Sequence, residues 1–522
     1  MIEKFEFLKD EFWYGGIVDH GEKFPLTHIS EYFINFDENF STHSQTNPVF
    51  FSNKGRYFWL GNGGSVEFKN GIITVNAPEI EFCDNGKTLK EAASLAAEKH
   101  YPPSGKMPDE RAFTSPQYCS WTVLLWSQNQ QKILEYARSI VREGFKPGII
   151  IIDDTWQKDY GVWDFNPANF PAPEAMFKEL KELGFIVSLW LCPYISPDSP
   201  KTAEYAPWMC DHMAAGRVIL SDDKSRPRFS AWWEGWSAQL DFIASDFCDY
   251  KKEDSPAKKW INLNTKRLMD EYGVAGFKLD GGDPEYFEKD YPHKNLQSTL
   301  WIDSVNCDFK EARCCYKLAN KPIIWRLNDK KHAWKSQENA LALSSLLPCI
   351  LTQGLAGYAF GCPDMVGGGL AIDFIDKSNL DDELIIRWCQ ASALLPMIQF
   401  SLDVWNRKQN RVAEICKKTV ALREKFTPYL LEKLREAAKN GVPAVRYMAY
   451  EFPNCGFERV VNQFMLGEKY LVAPVLEKGA TCREIVFPDG KWKDIYDGKV
   501  YEGGAFMVPA PIDKLPVFEK IG

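Results

Sequence analysis

The stretch Pro147-Gly148-Ile149-Ile150-Ile151-Ile152-Asp153-Asp154 decides the fold. Four consecutive isoleucines predict a strand that is buried on both faces, which is typical of a parallel sheet. Downstream, residues 173–183 place apolar side chains at helical spacing, and Gly184 follows as a helix C-cap. Residues 185–191 are again an apolar run. The order strand, helix, strand predicts a parallel β-α-β unit.

The pattern recurs further along the chain. Three more apolar runs are predicted as strands and lead into acidic residues: 274–279 before Asp280, 322–327 before Asn328-Asp329, and 355–360 before Asp364. Repeated β-α units favour the α/β class, as either a (β/α)₈ TIM barrel or a doubly wound sheet. Because a barrel takes about 250 residues, a chain of 522 residues has room for one barrel and two smaller domains.

Short alternating strands and glycine-rich turns flank this region on both sides. Residues 1–110 are predicted as an N-terminal β-sandwich-like domain, residues 111–445 as the barrel, and residues 446–522 as a C-terminal β domain. Within the last, Pro488-Asp489-Gly490 predicts a hairpin turn between strands at 483–487 and 491–496.

Composition excludes several classes of function. The formal net charge is −9, whereas proteins that bind nucleic acid carry a basic excess, so no nucleic-acid partner is expected. No long apolar run and no apolar leader occur, which predicts a protein without a membrane partner. The 14 cysteines include no CxxC pair and fit a reduced, cytoplasmic protein. The sequence leaves open whether the protein forms a homo-oligomer.

The carboxylates at the strand ends are the candidate chemistry: Asp153, Asp154, Asp280, Asp329 and Asp364. In a barrel the carboxyl ends of the strands meet at one face, where active sites lie. Paired carboxylates there suit glycoside hydrolysis, in which one attacks the anomeric carbon and the other protonates the leaving oxygen. Taken singly, each aspartate also fits a helix N-cap.

Lys278 lies two residues before Asp280 and therefore faces the same side of its strand. It is predicted to hold a substrate hydroxyl, to tune Asp280 or to form a structural ion pair, and a Schiff-base aldolase stays open as an alternative. The seven histidines show no HExxH spacing and no GxSxG occurs, so neither a metal site nor a serine nucleophile is expected.

Several ordered blocks of the sequence resemble glycoside hydrolase family 31, the retaining exo-α-glycosidases. They are Gly276-Phe277-Lys278-Leu279-Asp280, Arg387-Trp388-Cys389-Gln390, Gly441-Val442-Pro443-Ala444-Val445-Arg446 and Leu471-Val472-Ala473-Pro474-Val475. Within the family, Trp232-Trp233-Glu234-Gly235 and Arg326-Leu327-Asn328-Asp329 are most similar to the branch of the myogenesis-regulating glycosidases and their bacterial α-galactosidase relatives.

The resemblance implies roles for individual residues. Asp280 is the expected nucleophile and Asp329 the expected general acid/base, with a glycoside or oligosaccharide as substrate and no cofactor. The other expected substrate-binding residues are Asp153, Asp154, Trp190, Trp232, Trp233, Lys278, Arg313, Trp334 and Asp364.

The sequence also departs from the family pattern. Asn328 precedes Asp329 where the family usually has glycine, and Phe400-Ser401 stands where its glucosidases have a sugar-binding histidine. The absence of this histidine favours an α-galactosidase, with an α-glucosidase or α-xylosidase as alternatives. A non-catalytic carbohydrate-binding protein is the remaining alternative.

Overall fold

The isoleucine run forms a parallel strand, Ile149–Ile152, as its sequence predicts. The structure is a computed structural model that describes residues 1–37, 44–197, 205–232, 237–244, 248–338, 340–407 and 411–522. The chain divides into two units. The Asp280 unit comprises Glu38–Ser44 and Tyr118–Tyr316, and the Asp329 unit comprises Met1–Asp37, Gln45–Gln117 and Lys317–Gly522.

Eight strands of the described chain have the order expected of a (β/α)₈ barrel. They are β1 (Gln117–Cys119), β2 (Ile149–Ile152), β3 (Ile186–Leu191), β4 (Gly276–Leu279), β5 (Phe309–Ala312), β6 (Ile324–Arg326), β7 (Gly361–Cys362) and β8 (Gln399–Phe400).

Neighbouring strands pair in parallel and in chain order within each unit. In the Asp280 unit the pairs run from β1 through β5. In the Asp329 unit, β6 pairs with β7, and Met365 after β7 bridges Gln399 of β8 in parallel. Gln117, the first residue of β1, belongs to the Asp329 unit, and its N–H donates to the Ile398 carbonyl beside β8 at 2.9 Å.

Helices follow most of these strands. They are α1 (Gln130–Arg142), α2 (Pro173–Glu182), α3 (Pro256–Tyr272), α4 (Lys294–Ser304), α5 (Leu343–Leu355), α6 (Asp382–Ser392) and α7 (Arg411–Asn440). Their ends follow local chemistry: Ser255 caps the start of α3 and Pro256 fills its first turn, while Gly273 ends it in the left-handed conformation, φ 73°.

The predicted strand at residues 355–360 is wrong. Leu355 ends helix α5, and the strand is the short segment Gly361–Cys362 beyond it. Nearly every residue of α5 is buried. A helix that is buried on nearly all sides lacks a clear amphipathic period, so its apolar end cannot be told from a strand by sequence.

The N-terminal region forms two antiparallel sheets, as predicted for a sandwich-like domain. One has the order Ile2–Glu6, Ile72–Asn76, Ser65–Lys69, Tyr32–Asn35, and the other pairs Trp13–Ile17, Gln45–Ser52, Tyr57–Trp59 and Glu81–Cys83. Aromatic rings fill its core: Phe50 lies 5.0 Å from Phe58 and 5.2 Å from Phe68 between ring centroids. Helix Leu89–His100 follows.

The C-terminal region is a six-stranded antiparallel sheet. Its order is Val445–Arg446, Phe464–Leu466, Tyr470–Val472, Val517–Lys520, Cys482–Asp494, Val500–Pro509. The predicted hairpin turn at Pro488-Asp489-Gly490 is wrong, because Cys482–Asp494 is one strand whose pairing shifts register between Phe487 and Lys491. The three residues form a bulge, where a proline without an N–H is tolerated.

The Asp280 unit also contains short elements between its parallel strands. They are the hairpin Gln157–Asp159 with Val162–Phe165, the sheet of Tyr194–Ile195, Ser237–Gln239 and Phe229–Ser230, and helix Pro207–Ala214. Within the described residues, none of the helices has both the length and the apolar character needed to cross a bilayer.

Candidate active site

Asp280 directly follows β4 and is held by an aromatic N–H and a cation. The indole Nε1 of Trp190 donates to Asp280 Oδ2 at 3.1 Å, and Arg313 Nε lies 3.2 Å from Oδ1. The Asp280 side chain is 11% exposed. The backbone N–H of Asp280 donates to the Leu191 carbonyl at 2.9 Å. This bond extends the strand pairing by one residue and fixes the backbone from which the carboxyl group projects.

A glycine pair turns the chain immediately after Asp280. Gly281 and Gly282 have φ values of 67° and 78°. A Cβ on Gly281 would lie 2.4 Å from a ring carbon of Tyr194, so only glycine fits. The Gly282 N–H donates to the Tyr194 hydroxyl at 2.7 Å. The turn that follows Asp280 is therefore packed closely against the ring of Tyr194.

Arg313 bridges Asp280 to a second carboxylate and to an aromatic wall. Its Nη2 donates to Asp283 Oδ2 at 2.7 Å. Its guanidinium lies 5.7 Å from the ring of Trp232, which in turn stacks on Tyr194 at 5.0 Å. Arg313 is thus held in place by an ion pair on one side and a cation–π contact on the other.

Lys278 and Asp153 form a buried ion pair. Lys278 Nζ lies 2.7 Å from Asp153 Oδ2, and each side chain is 3% exposed. The Cys119 thiol donates to the same oxygen at 3.0 Å. Burial and the Asp153 carboxylate raise the pKa of Cys119, so it acts here as a neutral donor. The ion pair stabilises the charged ammonium of Lys278, whereas a Schiff base requires a neutral amine.

Asp154 faces a different set of partners. The Tyr160 hydroxyl donates to Asp154 Oδ2 at 2.7 Å, and the Tyr160 ring lies 5.8 Å from that of Trp190. Trp232 Nε1 donates to the same hydroxyl at 3.4 Å. Burial and the Asp154 charge raise the pKa of Tyr160 well above its usual value, so the hydroxyl stays protonated.

In the Asp329 unit, one arginine holds two carboxylates. Arg326, the last residue of β6, donates through Nη1 to Asp329 Oδ1 at 2.6 Å and to Asp364 Oδ1 at 3.2 Å. The Asp329 side chain is 26% exposed, whereas that of Asp364 is fully buried. The more accessible of the two carboxyl groups is the predicted acid/base.

Trp334 lies further along the same loop and binds a helix N-terminus. Its Nε1 donates to Asp381 Oδ2 at 3.0 Å, while Asp381 Oδ1 accepts the first N–H groups of α6. His332 Nδ1 lies 2.7 Å from the Gly367 carbonyl, and its Nε2 accepts the Asp381 N–H at 2.9 Å. The loop that carries His332 and Trp334 is therefore held by hydrogen bonds to Gly367 and Asp381.

The structure thus places the predicted residues in two groups. The Asp280 unit brings together Asp153, Asp154, Trp190, Trp232, Lys278, Asp280 and Arg313, and the Asp329 unit brings together Asp329 and Asp364. Trp334 contacts Asp381 instead, and Trp233 lies outside the described residues.

Sequence reasoning missed Tyr160, Asp283 and Arg326 as site residues. Tyr160 comes from a hairpin that carries no recognisable motif. Asp283 was detectable in principle, because it follows the glycine pair behind Asp280. Across the described ranges, no group of His, Cys, Asp or Glu side chains is arranged to hold a metal ion.

Two family models match the chain. Residues 107–332 match the TIM-barrel domain of glycosyl hydrolases family 31, and residues 441–522 match the C-terminal domain of glycosyl hydrolase family 31.

Two curated relatives with similar sequences are glycosidases. The chain is 29% identical over 464 residues to the myogenesis-regulating glycosidase of Mus musculus, covering 85% of this chain and 61% of the relative. It is 24% identical over 438 residues to alpha-glucosidase 2 of Bacillus thermoamyloliquefaciens, covering 76% and 51%. The chain thus spans roughly half to three fifths of these relatives.

The fold is also that of a solved structure. The glucose complex of a family 31 dextranase from Flavobacterium johnsoniae has a TM-score of 0.81 at 20% identity, covering 99% of this chain and 66% of the dextranase. This likeness and the family models confirm the predicted fold class, a (β/α)₈ barrel with an N-terminal and a C-terminal β domain.

Proposed function

The chain belongs to glycoside hydrolase family 31, and from that premise we propose that it is a retaining exo-α-glycosidase acting on terminal α-linked sugars. The observation that carries the proposal is the environment of Asp280. A strand-end carboxylate that receives an indole N–H and lies beside a guanidinium is held as an anion and aimed by fixed partners. A nucleophile at an anomeric carbon needs both properties.

In the proposed mechanism Asp280 attacks C1 while Asp329 protonates the departing oxygen. The bond from C1 to the leaving oxygen breaks as the ester to Asp280 forms. Asp329 then takes a proton from water, which attacks C1 and releases the sugar with retained configuration. Retention requires the two carboxyl groups to lie about 5–5.5 Å apart in the reactive enzyme.

The residues around Asp154 form the proposed glycone pocket. Asp154, which accepts from Tyr160 at Oδ2 and from the Thr155 N–H at Oδ1, is the proposed acceptor of a sugar hydroxyl, and Trp190 and Tyr160 offer flat ring faces of the kind that pack against sugars. Asp153, paired with Lys278 of β4, accepts the Asp154 N–H at 3.0 Å and so supports the pocket from behind.

We favour a terminal α-galactoside as substrate, with α-glucoside and α-xyloside as alternatives. Phe400 and Ser401, at the position of the glucosidase histidine, are 1% and 0% exposed, so no imidazole is supplied there. The aldolase alternative has less support, because Lys278 is ion-paired with Asp153.

The test is hydrolysis of p-nitrophenyl α-galactoside, α-glucoside and α-xyloside by the purified chain, with proton NMR of the first-formed sugar. We expect α-galactoside to react fastest and the α-anomer to appear first. Appearance of the β-anomer first would contradict retention, and faster hydrolysis of another member of the panel would reassign the sugar.

Two controls complete the experiment. Asp290→Asn removes a 73% exposed carboxylate of the same unit and should hydrolyse the panel like the wild type. Borohydride treatment with substrate should leave the mass of the protein unchanged. A reduced adduct on Lys278 would support the aldolase, and a folded wild type inactive on the whole panel would favour a binding protein.

A further inference from the structure

Asp364 has an unusual backbone for a buried aspartate. It directly follows the loop residue Pro363 after β7 and adopts φ 71°, the left-handed region that is uncommon for residues other than glycine. Its side chain is fully buried. Backbone strain of this kind persists only where the surroundings enforce it, and it concentrates at functional sites.

The carboxylate of Asp364 is enclosed by protein. Oδ1 accepts from Arg326 Nη1 at 3.2 Å and Oδ2 accepts from the Lys330 N–H at 3.0 Å. The turn Gly367-Gly368-Gly369 closes over it: a Cβ on Gly369 would lie 3.0 and 3.1 Å from the two carboxylate oxygens. The Gly369 N–H donates back to the Lys330 carbonyl at 2.9 Å. This enclosure leaves no place for a sugar hydroxyl.

Arg326 connects this enclosed carboxylate to Asp329. The same nitrogen, Nη1, bonds both carboxyl groups. A guanidinium paired with Asp329 alone would favour the ionised form of that carboxyl, whereas a second carboxylate on the same nitrogen offsets this effect. Asp364 therefore takes up part of the positive charge of Arg326 that would otherwise act on Asp329 alone.

Resting on the function proposed above, we propose that Asp364 is a positioning residue that acts through Arg326 to keep Asp329 protonated in the first step of glycoside cleavage. It orients the guanidinium and balances its charge, and it does not contact the substrate.

The charged groups that act most strongly on Asp364 are Asp329, Arg326 and Lys330, and the glycine turn carries no charged side chain. Beyond the turn lies His332, whose pKa is lowered by burial, so its ring is neutral near pH 7. Burial, and then the charge of Asp329, raise the pKa of Asp364 to about 6. Asp364 is thus an anion above that pH.

The experiment compares pH profiles of kcat/KM for the wild type, Asp364→Asn, Arg326→Gln and Arg326→Lys, on the best substrate of the p-nitrophenyl panel. Asp364→Asn should move the alkaline limb to lower pH by about one unit, because the offsetting charge is lost. Arg326→Gln should move it to higher pH, and Arg326→Lys should stay nearer the wild type. Damage to the fold alone would not shift the limb in opposite directions.

Asp373→Asn is the matched control, because Asp373 lies on the loop after β7 but accepts from the His332 N–H. Its alkaline limb should match the wild type. An unshifted limb in a folded Asp364→Asn variant, shown by circular dichroism, overturns the inference, as does an equal shift in Asp373→Asn.

A second measurement uses the leaving group. Asp364→Asn should lose at least tenfold more activity on a p-methoxyphenyl glycoside than on a 2,4-dinitrophenyl glycoside, since the latter needs little protonation. Equal losses would overturn the inference. A wild type without glycosidase activity would instead refute the proposed function, so the two failures are distinguishable.

Discussion

The two candidate catalytic aspartates differ in their donors and in their exposure. Asp280 receives the Trp190 N–H and lies beside Arg313, and its side chain is 11% exposed. Asp329 is 26% exposed and bonds Arg326, which it shares with the buried carboxylate of Asp364. Each arginine is shared with a second buried carboxylate, Asp283 for Arg313 and Asp364 for Arg326, so the extra indole N–H and the lower exposure are what distinguish Asp280. The difference matches the division of labour between a nucleophile and an acid/base.

The strongest challenge to this comparison is removal of Asp280. Asp280→Ala should lower kcat by at least about 10⁴-fold on every substrate, because no covalent intermediate can form. Activity is followed by nitrophenolate release, and folding by circular dichroism. Added azide should restore some turnover and yield the β-glycosyl azide, since it enters from the side that the carboxylate vacated. A variant that keeps its activity would remove Asp280 from this role.

Removal of Asp329 should have a smaller effect that depends on the leaving group. Asp329→Asn should lower kcat/KM by about 10²–10⁴-fold on a p-methoxyphenyl glycoside. It should affect the first step on a 2,4-dinitrophenyl glycoside far less. Azide should then yield the α-glycosyl azide, the opposite anomer from that of Asp280→Ala. The same anomer from both variants would contradict the assigned roles.

The local sequence was enough to predict Asp280 and Asp329 as site residues, because each follows an apolar strand. It also predicted the parallel strands at residues 149–152, 186–191, 276–279 and 324–326, since fully buried strands leave continuous apolar runs. The run at 355–360 failed for the same physical reason, because a buried helix and a buried strand are equally apolar.

The surroundings of the aspartates were less accessible to sequence reasoning. Arg326 and Asp364 are 38 residues apart, and Arg313 and Asp283 are 30 apart. Such pairs are set by the geometry of strand ends rather than by spacing along the chain. Tyr160 reaches Asp154 across the bend of a hairpin, and a tyrosine in a short loop has no pattern that distinguishes it from a surface residue.

The glycine turn that follows Asp280 can be tested by its contribution to the free energy of unfolding. Gly281→Ala should lower the free energy of unfolding by about 2–4 kcal/mol, from left-handed backbone strain and a clash with Tyr194. Gly273→Ala is the matched control: its φ is 73°, but a Cβ there meets nothing within 4 Å. It should cost about 1–2 kcal/mol. Equal costs in urea denaturation would show that Tyr194 does not press on the turn.

The smallest expected effect concerns the partner of Asp154. Tyr160→Phe removes one hydrogen bond to a carboxylate, a contact that contributes about 1.5–3 kcal/mol, so kcat/KM should fall roughly tenfold or more. Tyr118→Phe is the control, because that hydroxyl donates to the Lys146 carbonyl just before β2, at the opposite end of the strand from Asp153. It should lower the unfolding temperature without changing kcat/KM. If Tyr160→Phe behaves like this control, Asp154 acts independently of Tyr160, and Tyr160 is not part of the glycone pocket.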